Sequence, residues 1–92
     1  MKTEYDKKHD AAYFELSALD PVRQVKLDDA RIVDYAADGS VVGVEFISPS
    51  RGVNLADVPY ATEIRREARR LGFPVRSART AGRAPGRRGV PR

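Results

Sequence analysis

Few residues in this chain have both the type and the spacing that chemistry requires. Asp34 and Glu45 come first. Asp38-Gly39 lies between two runs of alternating hydrophobicity, the strongest short-range hairpin signal, because Gly accepts the positive φ of a tight turn. With Asp38 and Gly39 as the loop, Arg31 faces Phe46, Val33 faces Val44 and Tyr35 faces Val42. On the other side Ile32 faces Glu45, Asp34 faces Gly43 and Ala36 faces Val41. Asp34 and Glu45 then sit diagonally on one face, ~7–8 Å apart, within reach of a shared metal or an acid–base pair. Gly43 clears room beside Asp34, as at a bulge or where another backbone comes close. The same acids equally suit the solvated outer face of a half-buried sheet, and that plainer role is the one the pattern favours.

The other candidates are thinner. His9 is the one histidine and lies in a polar turn with Asp6 and Asp10. Asp28-Asp29 is the one adjacent acid pair. No twelve-residue calcium loop is present, and a lone histidine rarely builds a structural metal site. Ser17, Ser40, Ser48, Ser50 and Ser77 lack a strand–elbow–helix setting and would all depend on His9 as base. Gly82, Gly86 and Gly89 have no strand or helix around them to form a phosphate loop. No catalytic, cofactor-binding or metal-binding set is therefore assigned, and the expectation is a protein that is not an enzyme.

Arginine is the remaining chemistry. Arg65, Arg66, Arg69 and Arg70 fall on the polar side of a helical pattern, and Arg76, Arg79, Arg83, Arg87, Arg88 and Arg92 follow. Guanidinium binds phosphate bidentately, and such affinity falls steeply with salt. No aromatic interleaves the last stretch, so contact with nucleic acid would be blind to sequence. Two plainer readings compete. Glu63 can pair with Arg66 and Glu67 with Arg70 at i, i+3 spacing, and the end of the chain has the Arg/Ala/Gly/Pro composition of drift in a GC-rich genome.

These residues need elements to hold them. Thr3–Tyr5, Ala11–Leu16 and Val22–Leu27 read as short strands ahead of the hairpin, with only turns between, which predicts an antiparallel β-meander of four to five strands. Alternation puts Phe14, Leu16, Val33, Tyr35, Val42, Val44 and Phe46 on one apolar face. Pro59 suits the first position of a helix, and Tyr60, Ile64, Ala68 and Leu71 form a stripe at helical spacing. Gly72-Phe73-Pro74 stops it. The expected architecture is α+β, mainly β: a small domain over 1–75 with one C-terminal helix, then a disordered Arg-rich tail over 76–92, where too little apolar area exists to offset ordering.

Charge divides the chain in the same place. Seven basic against eleven acidic residues leave −4 from Met1 to Val58, and ten Arg against two Glu leave +8 from Pro59 to Arg92. The chain has no Cys, which excludes disulfides and thiolate chemistry. No apolar run approaches the ~20 residues of a membrane span, and the first residues lack the apolar core of a signal peptide. A cytoplasmic protein is expected. So small a core, with an apolar face too large to stay wet, favours a non-enzymatic interaction module that self-associates, with a dimer first, through the apolar face or a free strand edge. A protein partner and non-specific nucleic acid are the other candidates. The rival function is a nucleic-acid-associated accessory or antitoxin-like regulatory protein using the Arg-rich helix and tail.

The stretch from Tyr5 to about Leu55 also resembles a bacterial family, domain of unknown function 2283. The resemblance rests on Tyr5-Asp6 followed by Asp10-Ala11-Ala12-Tyr13, on Val25-Lys26-Leu27-Asp28 and Ile32-Val33-Asp34-Tyr35, and on Asp38-Gly39 with Val42-Gly43-Val44-Glu45. It implies a small, compact, β-rich domain with no established activity and carries over no catalytic residue. The helix and the Arg-rich end fall outside it.

Overall fold

The hairpin around Gly39 forms, with a loop one residue longer than the tightest turn. In the computed structural model, which describes residues 1–76, the Gly39 N–H donates to the Ala36 carbonyl (3.0 Å) and the Ala36 N–H to the Ser40 carbonyl (2.9 Å). Gly39 has φ +88°. Ala37, Asp38 and Gly39 are thus a three-residue loop, a type I turn closed by a left-handed residue. Asp38 braces it, its Oδ1 accepting the Ser40 hydroxyl (2.7 Å) and N–H (2.9 Å). Those two bonds hold the Asp38 carboxyl below its ordinary range.

Strands β4 (Arg31–Tyr35) and β5 (Val41–Ile47) pair in the expected register at Arg31–Phe46, Ile32–Glu45, Val33–Val44 and Asp34–Gly43. Near the turn the register departs from expectation. Tyr35 pairs with Val41, not Val42, across a bulge. The longer loop adds a residue on the β5 side, and Val42 drops out of this ladder. Its carbonyl instead accepts the N–H groups of Leu16 (2.7 Å) and Ser17 (3.1 Å). Ala36 is consequently buried and Tyr35 half-buried, with the Arg23 guanidinium 4.5 Å above the Tyr35 ring.

With β1 (Lys2–Asp6), β2 (Ala11–Glu15) and β3 (Arg23–Asp28), these strands make one antiparallel sheet in the order β1-β2-β5-β4-β3. The last strand made occupies the middle. Phe14, Val33 and Val44 are fully buried, with Phe46, Ala12 and Val42 nearly so. Phe14 and Phe46 meet edge to face at 5.6 Å, a geometry the ring quadrupole favours. Of the expected core, Tyr35 and Leu16 are only half-buried.

One charge lies among these apolar residues. Arg31 is 8% exposed, and its guanidinium meets Asp28 at 2.9 Å and 3.0 Å. The other Asp28 oxygen accepts the Ala30 N–H (2.9 Å), so one carboxylate shapes the β3–β4 turn and compensates a buried cation. Arg31 in return holds the Asp28 carboxyl below its ordinary range.

The described residues divide into two compact units, one ending at Arg51 and the other beginning at Gly52. In the second, β6 (Val53–Asn54) runs parallel to β7 (Val75–Arg76), and helix α1 (Ala61–Arg70) lies between them in sequence. The helix begins two residues later than Pro59 predicts. Tyr60 adopts left-handed φ 57°, ψ 37°, which separates Pro59 from the first turn and leaves Tyr60 54% exposed, outside the expected stripe. Ile64 and Ala68 are buried as expected. The other end closes as predicted: Gly72 N–H donates to Arg69 O and Phe73 N–H to Ala68 O, both at 3.0 Å, the paired bonds of a Schellman cap. No helix among the described residues is long and apolar enough to cross a membrane.

Candidate nucleic-acid interface

Asp34 and Glu45 share one face of the sheet, but they do not meet in one space. Tyr13, on β2, pairs with Glu45. Its phenol crosses Gly43 and donates to Asp34 Oδ2 (3.0 Å). Gln24 Nε2 donates to the other oxygen (3.0 Å), so both Asp34 oxygens are engaged. A Cβ on Gly43 would fall inside the Tyr13 phenol. The room expected beside Asp34 is thus taken by an aromatic ring, and the close approach at Gly43 is that of a side chain, not a backbone. Burial is the main cause that pushes the Tyr13 phenol far above the usual tyrosine range, followed by the bond to Asp34. Beside the ring lies a hollow of about 360 Å³ bounded by Tyr13, Glu15, Leu19, Pro21, Asp34 and Val42. Glu45 has no part in it. The role of Tyr13 was hidden because β5, its neighbour, lies thirty residues further along the chain, beyond any local pattern.

Asp6 and Asp10, the acids on either side of the polar turn, are both engaged. His9 Nδ1 lies 2.7 Å from Asp6 Oδ2, and this contact is the main cause that lowers the Asp6 carboxyl. Asp10 accepts the hydroxyls of Ser50 (2.5 Å) and Tyr5 (2.9 Å), and is lowered chiefly by Ser50. Among the described residues no group of three His, Cys, Asp or Glu is placed to hold a metal ion.

The helix arginines separate into two kinds. Arg70 is committed: its Nε and Nη2 meet the two Glu67 oxygens at 3.1 Å and 2.5 Å, and Glu67 raises the Arg70 guanidinium further. The expected Glu63–Arg66 pair does not form. Glu63 lies in the first turn of α1, where the helix dipole already favours an anion. Arg65, Arg66 and Arg69 have no ion pair within 4 Å among the described residues. With Thr62 they line a shallow concavity of about 300 Å³. Positions three and four apart share a helix face, which is why Thr62, Arg65, Arg66 and Arg69 converge. Arg65 and Arg69 are like charges at i, i+4, a spacing that costs ~0.2–0.5 kcal/mol and that a bound anion would relieve. Arg76 lies elsewhere, in β7, its guanidinium alongside Gly52. Arg76, expected to begin the disordered tail, is instead ordered in β7 by pairing with Asn54. Arg79, Arg83, Arg87, Arg88 and Arg92, and the rest of the expected tail, lie outside the described residues.

Residues 2–50, more than half of the chain, match the model of a family described as a protein of unknown function, DUF2283. No curated protein and no solved structure matches the chain.

Proposed function

The chain belongs to the DUF2283 family, whose description assigns no activity, and from that premise we propose that it is a non-enzymatic interaction module that associates with nucleic acid through the arginine face of α1. One observation carries this: among the described residues, Arg65, Arg66 and Arg69 line a single concavity and make no ion pair within 4 Å. Guanidinium groups held this way suit phosphate oxygens. The cytoplasm is the compartment the reading implies.

Self-association has weaker support. It was expected because an apolar sheet face too large for the chain would otherwise stay wet, yet Phe14, Val33 and Val44 are fully buried in a single chain. A strand edge is its remaining route. Among the described residues β1 and β3 are the two edges of the five-stranded sheet, and they carry Lys2, Glu4, Arg23 and Lys26, charges of the kind that discourage edge-to-edge pairing.

The test is retention of the full chain on immobilised DNA under a salt gradient. The variant R65A/R66A/R69A is expected to elute at clearly lower salt than the parent, and R70A close to it. Identical elution of parent and triple variant, with helix content unchanged by circular dichroism, would remove the arginine face from the function.

A further inference from the structure

We propose, resting on that reading, that the nucleic acid gripped by α1 is a duplex held through its phosphates, not a single strand. The concavity is lined by Thr62, Arg65, Arg66 and Arg69 alone. Proteins that hold single strands stack successive bases on aromatic side chains, each worth ~1–3 kcal/mol, and no aromatic belongs to this lining. Tyr60 is exposed, but it precedes the helix in a left-handed conformation and has no place in the concavity. The sequence that follows, from Ser77 to Arg92, contains no Phe, Tyr or Trp either. What the surface offers is clustered positive charge and a short hydroxyl side chain.

Rigidity and charge density then favour the stiffer partner. Thr62 and Arg69 are seven residues apart, a rise of ~10 Å along the axis. Over that length a duplex presents about six phosphate charges, at one per ~1.7 Å, and each of its strands about half as many. The cations stand on a helix whose inner side is anchored by buried Ile64 and Ala68 and whose end is closed by the bonds from Gly72 and Phe73. The backbone beneath the cations is already ordered and a duplex holds its phosphates in place, so only the arginine side chains lose freedom, whereas a flexible strand must itself be ordered as well. Arg70 stays outside the contact, since Glu67 already holds it. Phosphate contacts carry no base information, so the grip is blind to sequence.

The experiment is fluorescence anisotropy of the full chain with a short labelled duplex and with each of its strands alone. DNA and RNA versions are run side by side, with two unrelated sequences, across a range of salt. Either duplex is expected to bind about tenfold or more tightly than its own strands, with little difference between sequences. In R65A/R66A/R69A the slope of log K against log salt is expected to shrink by about 2 to 3, near 0.9 for each lost phosphate contact. R65K/R66K/R69K, which keeps the charges, is expected to retain most of that slope and separates loss of contact from loss of fold. Equal or tighter binding of the single strands would overturn the duplex while leaving phosphate binding by the helix in place. A preference of tenfold or more between the two sequences would also overturn it. No binding to any arm would overturn both.

Discussion

Gly43→Ala tests the most unusual contact in the sheet. The new methyl would occupy the position of the Tyr13 phenol, so the ring must leave the Gly43 surface and release Asp34. A hydrogen bond to a charged group contributes ~1.5–3 kcal/mol, but Asp34 is half-buried and keeps Gln24, so about 1 kcal/mol is the proper figure here. Displacing a part-buried ring adds ~1 kcal/mol of lost packing. Alanine returns ~0.5 kcal/mol, because glycine is the poorer strand residue. The net is about 1.5 kcal/mol of destabilisation, a fall in Tm of ~6–12 °C for a domain of this size. Urea unfolding followed by far-ultraviolet circular dichroism measures it. The decisive comparison is a double-mutant cycle: with Tyr13→Ala present nothing occupies the site, and Gly43→Ala should turn neutral or stabilising by ~0.5 kcal/mol, a coupling near 2 kcal/mol. A cost for Gly43→Ala that stays the same in both backgrounds would refute the argument.

Two further outcomes follow from the turns. The Arg31 guanidinium holds Asp28 below its ordinary 3.8, so the stabilisation is fully present above about pH 4 and is lost as pH falls through the lower, folded-state value. Asp28→Asn keeps the turn but removes an anionic partner of a buried cation. It should cost about 1–2 kcal/mol at pH 7, less than for a fully buried pair because Asp28 is 45% exposed, and less as pH falls and the carboxyl is protonated; a cost that does not change with pH, in urea titrations, would exclude the ion pair as its cause. Gly39→Ala places a side chain at φ +88° and should lower the urea midpoint by about 1 kcal/mol of stability with an unchanged slope, whereas no change would mean that the turn relaxes freely.

What could be read in the sequence was local. Alternation and the Asp38-Gly39 signal gave four correct pairs of the hairpin and the burial of Phe14, Val33, Val44 and Phe46, because a period of two allows only one register to collect them. Gly72-Phe73 announced the helix end by the same kind of short-range rule. The errors came where a distant residue or a backbone choice decided. The bulge beside Tyr35 depends on how many residues the loop takes. The late helix start depends on Tyr60 entering a conformation that no propensity favours. The tyrosine over Gly43 depends on β2 and β5 being neighbours, which no window of sequence contains. For the candidate interface, spacing brought Arg65, Arg66 and Arg69 together, but only coordinates separated them from Arg70, since Glu63 and Glu67 offer the same pairing and one of them uses it.

The strand order β1-β2-β5-β4-β3 also sets a timetable for the chain as it leaves the ribosome. β2 ends at Glu15, and its second neighbour is complete only at Ile47. At ~5–20 residues per second the ribosome needs ~2–6 s to cover that distance. Throughout that interval Ala12 and Phe14 lie on a two-stranded hairpin, a form that is marginal by itself in water. β3 and β4, by contrast, can pair as soon as they emerge and need only wait for β5. The first hairpin made therefore waits longest for the strand that secures it, and for those seconds the nascent chain exposes Phe14, a residue that the finished protein hides completely.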